Sequence, residues 1–307
     1  MGQGRERGAR RVRRRARAVL AVRATAVLAA AVVGATGCDA VGGDSPAPSG
    51  SASSTKPAPL WDTRPESVAA VGDSITRGFD ACAVLSDCPE VSWATGTSAE
   101  VDSLAVRLLG QAQAAEHSWN YAVTGARMAD LTGQMTRAAA RKPELVAVMV
   151  GANDACRATT SAMTSVADFR AQFEEAMGAL RERLPKTQVY VASIPDLKRL
   201  WSQGRTNPLG KQVWKLGICP SMLADADALD PAAVLRRNTV RDRVEDYNAV
   251  LRDVCAKDRR CRTDGGAVHA FRFGTDQLSR WDWFHPSVDG QARLAEIAYR
   301  AVTAKRP

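Results

Sequence analysis

The chain has 307 residues and a formal net charge of +9, but nine of its 42 basic residues and only one of its 33 acidic residues fall within the first 37 positions. The remainder holds 33 basic against 32 acidic side chains, so the sequence pI near 9.5 belongs to the leader and a nucleic-acid-binding function is excluded on charge.

That leader has nine arginines between Arg5 and Arg23, an apolar run over residues 24–33, and small residues up to Cys38. A basic region, a short apolar region and a small-residue cleavage point describe an export signal, and the run is too short to span a bilayer comfortably as a retained anchor. Ala35-Thr36-Gly37-Cys38 resembles a bacterial lipobox, which makes Cys38 a candidate lipidation site and the lipid an anchor to the outer face of the membrane; cleavage as an ordinary signal would leave the chain secreted instead. If residues 1–37 are removed, residues 38–60 form a Gly, Ser, Pro and Ala tether without the apolar bulk for a core. The rest, residues 61–307, is one domain, expected to be a monomer.

Within it the apolar run 68–71 stops abruptly at Gly72-Asp73-Ser74. Such a run reads as a buried parallel strand that delivers a hydroxyl to the carboxyl edge of a sheet, where open α/β sheets bind their ligands. By itself the tripeptide reads equally as a helix cap. A long loop, 77–98, follows, then a helical pattern from Val101 to Glu116. Strands are expected at 118–123, before Thr124-Gly125, at 145–150, before Gly151-Ala152-Asn153-Asp154, and at 188–194. Amphipathic helices are expected at 128–141, from Phe169 to a point before Pro185, at 236–257 and at 288–302. A fifth strand is expected at 267–273. Alternating strands and helices predict a three-layer α/β/α sandwich with a mainly parallel five-stranded sheet, flavodoxin-like in class. The connection 197–235, with Trp201, Trp214 and Cys219, is too long for a compact unit, and connections of that length usually serve a function or lack order.

With Cys38 set aside, six cysteines remain, an even number in an exported chain. Spacing favours Cys82 with Cys88 and Cys255 with Cys261, which leaves Cys156 for Cys219. A metal site is disfavoured, because the chain has no Cys-x-x-Cys pair and its three histidines are scattered.

Three strand ends therefore present Ser74, Gly125 and Asn153, and Asp282-Trp283-Phe284-His285 lies near the C-terminus. Serine hydrolysis needs a base for the hydroxyl proton, an acid to orient that base, and donors for the developing oxyanion. His285 is the candidate base and Asp282 its partner, while the Ser74 and Gly125 N–H groups and the Asn153 amide are candidate oxyanion donors. His117 and His269 have no acid at useful spacing and read as structural. The tryptophans read as packing or as cleft lining with equal ease.

Taken together these blocks resemble the SGNH, or GDSL-type, hydrolase family over residues 68 to about 303: Gly72-Asp73-Ser74, Gly125 after Asn120-Tyr121-Ala122-Val123-Thr124, Gly151-Ala152-Asn153-Asp154, and Asp282-x-x-His285. The order Ser, Asp, His without Gly-x-Ser-x-Gly separates the chain from α/β-hydrolases. The resemblance implies an exported serine esterase that needs no cofactor and acts on a small-molecule or polymeric ester. A lipid or short-chain ester and an acylated cell-wall glycan remain open as substrates. A catalytically silent surface binding protein is the alternative from another class, disfavoured because such a module has no need to keep nucleophile, base, acid and amide together.

Overall fold

A computed structural model describes residues 60–305. The elements run, in chain order, β1 (Val68–Gly72), α1 (Ser74–Arg77), α2 (Leu104–Leu109), α3 (Gln111–His117), β2 (Ser118–Asn120), α4 (Leu131–Ala139), β3 (Leu145–Met149), α5 (Ala152–Ala155), α6 (Val166–Arg183), β4 (Gln188–Val191), α7 (Leu197–Gly204), α8 (Pro208–Trp214), α9 (Pro220–Leu223), α10 (Pro231–Ala256), β5 (Cys261–Thr263), α11 (Ala267–Ala270) and α12 (Val288–Thr303).

Strands β1, β3 and β4 are buried at every position, as their apolar sequences require of strands covered on both faces. All five strands are parallel, in the order β2-β1-β3-β4-β5. Helices α4, α6 and α10 pack in succession, and α2 packs with α12. Right-handed crossovers put the first set and the second on opposite faces, which makes the three-layer, flavodoxin-like sandwich. In this strand order the chain reverses direction across the sheet between β1 and β3, and the crevice beyond their carboxyl ends is where such folds place a ligand. Ser74 follows β1 and Asn153 follows β3, so both side chains arrive at that crevice.

Several expected boundaries are corrected. The fifth strand is not at 267–273. It is the three-residue, half-buried Cys261–Thr263, a polar edge strand with no apolar signature, tied to the end of α10 by the Cys255–Cys261 disulfide. Asp264 Oδ2 accepts the Val268 N–H at 2.8 Å and turns the following residues into the single helical turn α11. The helix expected over 101–116 is broken at Gly110, whose φ is +80°. Strand β2 ends at Asn120, although Tyr121 and Val123 continue its bonding by donating to the carbonyls of Ala70 and Gly72 at 2.8 and 3.1 Å. Helix α10 starts five residues earlier than apolar periodicity predicts, at Pro231, capped by the Asp230 carboxylate. Its early turns face the insert at residues 197–235 through a buried arginine, Arg237, which the apolar pattern reads as a surface position.

That insert folds as α7, α8 and α9. Arg237 organises it by donating to the carbonyls of Ala228 and Asp225 at 2.7 and 2.6 Å and by lying 4.2 Å from the centre of the Trp201 ring. Among the described residues, no helix is long and apolar enough to cross a membrane. The expected signal segment, Cys38 and nearly all of the tether lie outside the described residues.

Candidate active site

The turn after β1 is built around backbone contact. A Cβ at Gly72 would lie 1.9 Å from the Met149 carbonyl oxygen, so no larger residue fits where β1 passes β3. Buried Gln134 clamps the same glycine, accepting its N–H at 2.7 Å and donating to its carbonyl at 2.9 Å. Asp73 caps α1 by accepting the Ile75 N–H at 3.0 Å. Ser74 is then the first residue of the helix, and its N–H has no partner within the helical ladder.

Three distant side chains hold that turn in place. Asn120 donates to the Thr76 carbonyl at 2.9 Å, Ser92 to the same oxygen at 2.7 Å, and Gln291 to the Ile75 carbonyl at 2.8 Å. Sequence reading assigns no role to Gln134 or Gln291, because their partners lie 62 and 216 residues away.

Ser74 Oγ lies 2.9 Å from His285 Nε2, and His285 Nδ1 lies 2.5 Å from Asp282 Oδ2. The imidazole is neutral in its working form and a carboxylate accepts only, so Nδ1 carries the proton and Nε2 is left to accept from the Ser74 hydroxyl. Asp282 is fully buried, and its Oδ1 accepts the N–H groups of Phe284 and His285, both at 2.9 Å. Burial works to raise its pKa, but the charge and hydrogen bond of His285 and those two N–H groups hold it below the usual carboxylate value. For His285 burial works downward, yet Asp282, then Asp80 and Asp73, raise it above its ordinary 6.5. The imidazole is flanked edge-on by Phe79 and Phe284, with ring centres 5.1 and 5.6 Å away. Trp214 of the insert donates its indole N–H to the Asp282 carbonyl at 2.7 Å.

Gly125 is exposed with φ +83°, and a Cβ there would meet no neighbour, so glycine is needed for the backbone conformation. Asn153 donates one amide hydrogen to the Ala126 carbonyl at 3.0 Å. Ser74, Gly125, Asn153 and His285 all line one cavity of about 200 Å³, walled by Ala152, Leu197, Leu200, Ile218 and the half-cystines Cys156 and Cys219. A larger cavity of about 590 Å³ lies beside α8 and α9. It touches the first only at Gly217, and its lining carries no serine, cysteine or histidine.

Asp154 is buried and accepts from Met128 N–H and the Thr164 hydroxyl at 2.9 and 2.7 Å, a structural role. His269 bonds through Nδ1 with the Ile194 carbonyl, and His117 closes α3 on the surface. Cys82 pairs with Cys88, Cys156 with Cys219 and Cys255 with Cys261. Trp93 is buried against Tyr190, and neither it nor Trp201, Trp214, Trp281 or Trp283 lines the smaller cavity.

A hydroxyl, an imidazole and a buried carboxylate in line at the switch point of a parallel sheet define a serine hydrolase. The sequence model of the GDSL-like Lipase/Acylhydrolase family matches residues 68–298, and the chain belongs to that family of ester hydrolases. No curated protein matches it. Among solved structures it is similar to an extracellular lipase from Streptomyces rimosus (19% identity, covering 76% of this chain and 99% of that one, TM-score 0.43). It is also similar to phospholipase A1 from Streptomyces albidoflavus (18%, 78% and 99%, TM-score 0.43). A family two carbohydrate esterase from Clostridium thermocellum is matched as well (15%, 78% and 63%, TM-score 0.47).

Proposed function

We propose that this chain hydrolyses esters of short acyl groups through an acyl-enzyme on Ser74. The observation that carries the reading is the line Ser74 Oγ, His285 Nε2, His285 Nδ1, Asp282 Oδ2, with steps of 2.9 and 2.5 Å, opening on an apolar cavity. His285 takes the hydroxyl proton as Ser74 attacks the ester carbonyl, and Asp282 stabilises the imidazolium that forms. The oxyanion is held by the N–H groups of Ser74 and Gly125 and by the second amide hydrogen of Asn153. His285 returns the proton to the departing alcohol. Water then attacks the acyl-enzyme, with His285 again acting first as base and then as acid. Every step uses this chain's own groups, so no cofactor enters.

Cavity size argues the acyl length. At about 200 Å³ it is smaller than the roughly 300–1,000 Å³ typical of pockets that engulf a drug-sized molecule. Its lining of Ala152, Leu197, Leu200 and Ile218 suits a short hydrocarbon chain and leaves a long fatty tail unaccommodated. The same small cavity favours a second reading, removal of acetyl groups from a polymeric glycan. A series of nitrophenyl esters decides the first point, with kcat/KM expected to peak between acetyl and hexanoyl. A rise continuing to palmitoyl would overturn the short-acyl reading. Acetate release from an acetylated glycan, set against hydrolysis of tributyrin, decides the second.

Three disulfides suit an oxidising compartment outside the cytoplasm. Together with the leader they support export, and the lipobox-like residues 35–38 add the reading of a signal segment at 1–37, lipid on Cys38, a tether at 38–60 and a hydrolase domain at 61–307 that acts as a monomer. The tether lets an anchored enzyme work at the cell surface.

A further inference from the structure

Asp80 lies six residues beyond Ser74, is only 1% exposed, and has no part in the steps above. Its backbone is held in the left-handed region, at φ +57°. Three contacts fix it: its N–H donates to the Ser86 carbonyl at 2.9 Å, the Ser279 hydroxyl donates to its carbonyl at 2.6 Å, and the Leu85 N–H donates to Oδ1. The other carboxyl oxygen, Oδ2, is buried with no hydrogen-bond partner. The carboxyl group lies near Asp282 and His285, one carboxylate oxygen of each aspartate and one ring nitrogen of His285 being within 4.8 Å of one another. Two ionised carboxylates facing each other in a buried site are both acceptors and repel. A single proton between them converts the contact into an O–H···O⁻ hydrogen bond.

We propose that Asp80 is a positioning residue of the esterase centre, whose carboxyl group holds a proton against Asp282 and, by gaining or losing it, sets the negative charge behind the His285 imidazole. The proposal rests on the reading of Ser74, His285 and Asp282 as the catalytic line. Burial, and after it the neighbouring Asp282, push the Asp80 carboxyl up to about 6. The other titratable group facing the imidazole is Asp73, which burial pushes up to about 7. Arg77 at the end of α1 and Asp87 in the loop that carries Asp80 pair with each other at 3.2 Å.

The direction of the effect follows from charge. When Asp80 is ionised, the imidazolium is stabilised by a second nearby carboxylate, and a higher pH is needed to free Nε2 as a base. When Asp80 is neutral, His285 loses its proton at lower pH and the enzyme stays active further into acid.

Asp80→Asn tests this, because asparagine keeps an acceptor for the Leu85 N–H and offers Asp282 a permanent N–H donor. The acid limb of kcat/KM on a butyryl ester is expected to move down by about half to one pH unit. Asp80→Ala, which offers neither group, is expected to lower the plateau kcat roughly tenfold, with asparagine restoring most of it. An acid limb that stays where it is in Asp80→Asn would overturn the proposal. A second measurement needs no variant. The ¹³C resonance of the Asp80 carboxyl in the unaltered enzyme should titrate near 6, and titration at the ordinary value of about 3.9 would overturn the proposal. Ser74→Ala and His285→Ala assayed in parallel separate the two claims. If both are inactive and the Asp80→Asn limb is unmoved, only the role of Asp80 falls. If either keeps its activity, the catalytic line falls and the role of Asp80 falls with it.

Discussion

The edge of the sheet and the insert at residues 197–235 both face the small cavity, but they are built on different physics. At the edge, Ser74, Gly125 and Asn153 are placed by backbone. Strands β1 and β3 run in register from Val68–Leu145 to Gly72–Met149, Ser74 and Asn153 sit on the first turns beyond them, and Gly125 follows the segment that continues the bonding of β2 past Asn120. The insert has no strand. It is held by the Cys156–Cys219 disulfide, by Arg237 under Trp201, and by the Trp214 indole on the Asp282 carbonyl. It also exposes Leu209, Leu216, Leu229 and Leu235. On the function proposed above, the edge supplies groups in fixed geometry that any ester needs, and the insert supplies the wall against which the acyl group fits. Damage to the first should abolish chemistry, and damage to the second should redirect it.

The largest effect is expected at the edge. Ser74→Ala and His285→Ala should each lower kcat by up to about 10⁶-fold, and the double variant should be scarcely worse than either, because the two act as one unit. Asp282→Ala should cost less, since Asp282 orients and stabilises the imidazole without entering bond making. Steady-state kinetics on one activated ester, with circular dichroism as a check of fold, would settle this. Effects that multiply would place the nucleophile elsewhere. Because His285 is raised above 6.5, kcat/KM of the unaltered enzyme should decline as pH falls through a value above that figure.

Next comes Asn153→Ala, expected to lower kcat by roughly 10²–10³ with little change in KM if the amide serves only the oxyanion. An unchanged kcat would remove Asn153 from the mechanism. Some structural cost is also expected, since Asn153 ties α5 to the Ala126 carbonyl.

The same division explains what could be read from sequence. Ser74, Gly125, Asn153, Asp282 and His285 sit in short blocks whose order and strand-end positions are visible in one dimension, and four of the five line one cavity. The buried strands announce themselves by apolar runs. What stays hidden depends on partners far along the chain: Gln134 on Gly72, Gln291 on Ile75, Asp80 against Asp282. Strand β5 stays hidden because Cys-Arg-Thr at a sheet edge carries no apolar alternation, and the start of α10 because its buried face there is a small alanine, Ala233, and an arginine, Arg237. The insert shows only as excess length, since three short helices stitched by a disulfide and a cation–π contact leave no periodic trace.

In the chain-entropy account a disulfide closing a span of 63 residues constrains the unfolded chain by about 4 kcal/mol, against about 2 for the two that close spans of six. Replacing Cys156 and Cys219 by serine should therefore lower stability by about 2–4 kcal/mol in denaturant titration. It should also leave ester hydrolysis measurable, because neither sulfur belongs to the catalytic line. Equal losses from removing Cys82–Cys88 or Cys255–Cys261 would mean that loop length does not set the difference.

The smallest effect, and the sharpest test of the division of labour, is expected at Ile218. Leu200 and Ile218 both wall the cavity, but Leu200 is buried in the core, and truncating it to alanine should cost about 2–5 kcal/mol, confounding specificity with stability. Ile218 is only half-buried, so Ile218→Ala should cost about 1 kcal/mol or less while opening the cavity by the volume of three carbons. A methylene in an apolar pocket is worth roughly 10–200-fold in discrimination at best. The ratio of kcat/KM for octanoyl over butyryl ester should thus rise about tenfold, with kcat on acetyl ester little changed because the oxyanion donors and the base are untouched. If the ratio stays fixed and kcat falls equally on every ester, Ile218 supports the catalytic line itself, and the insert shares the work assigned to the sheet edge.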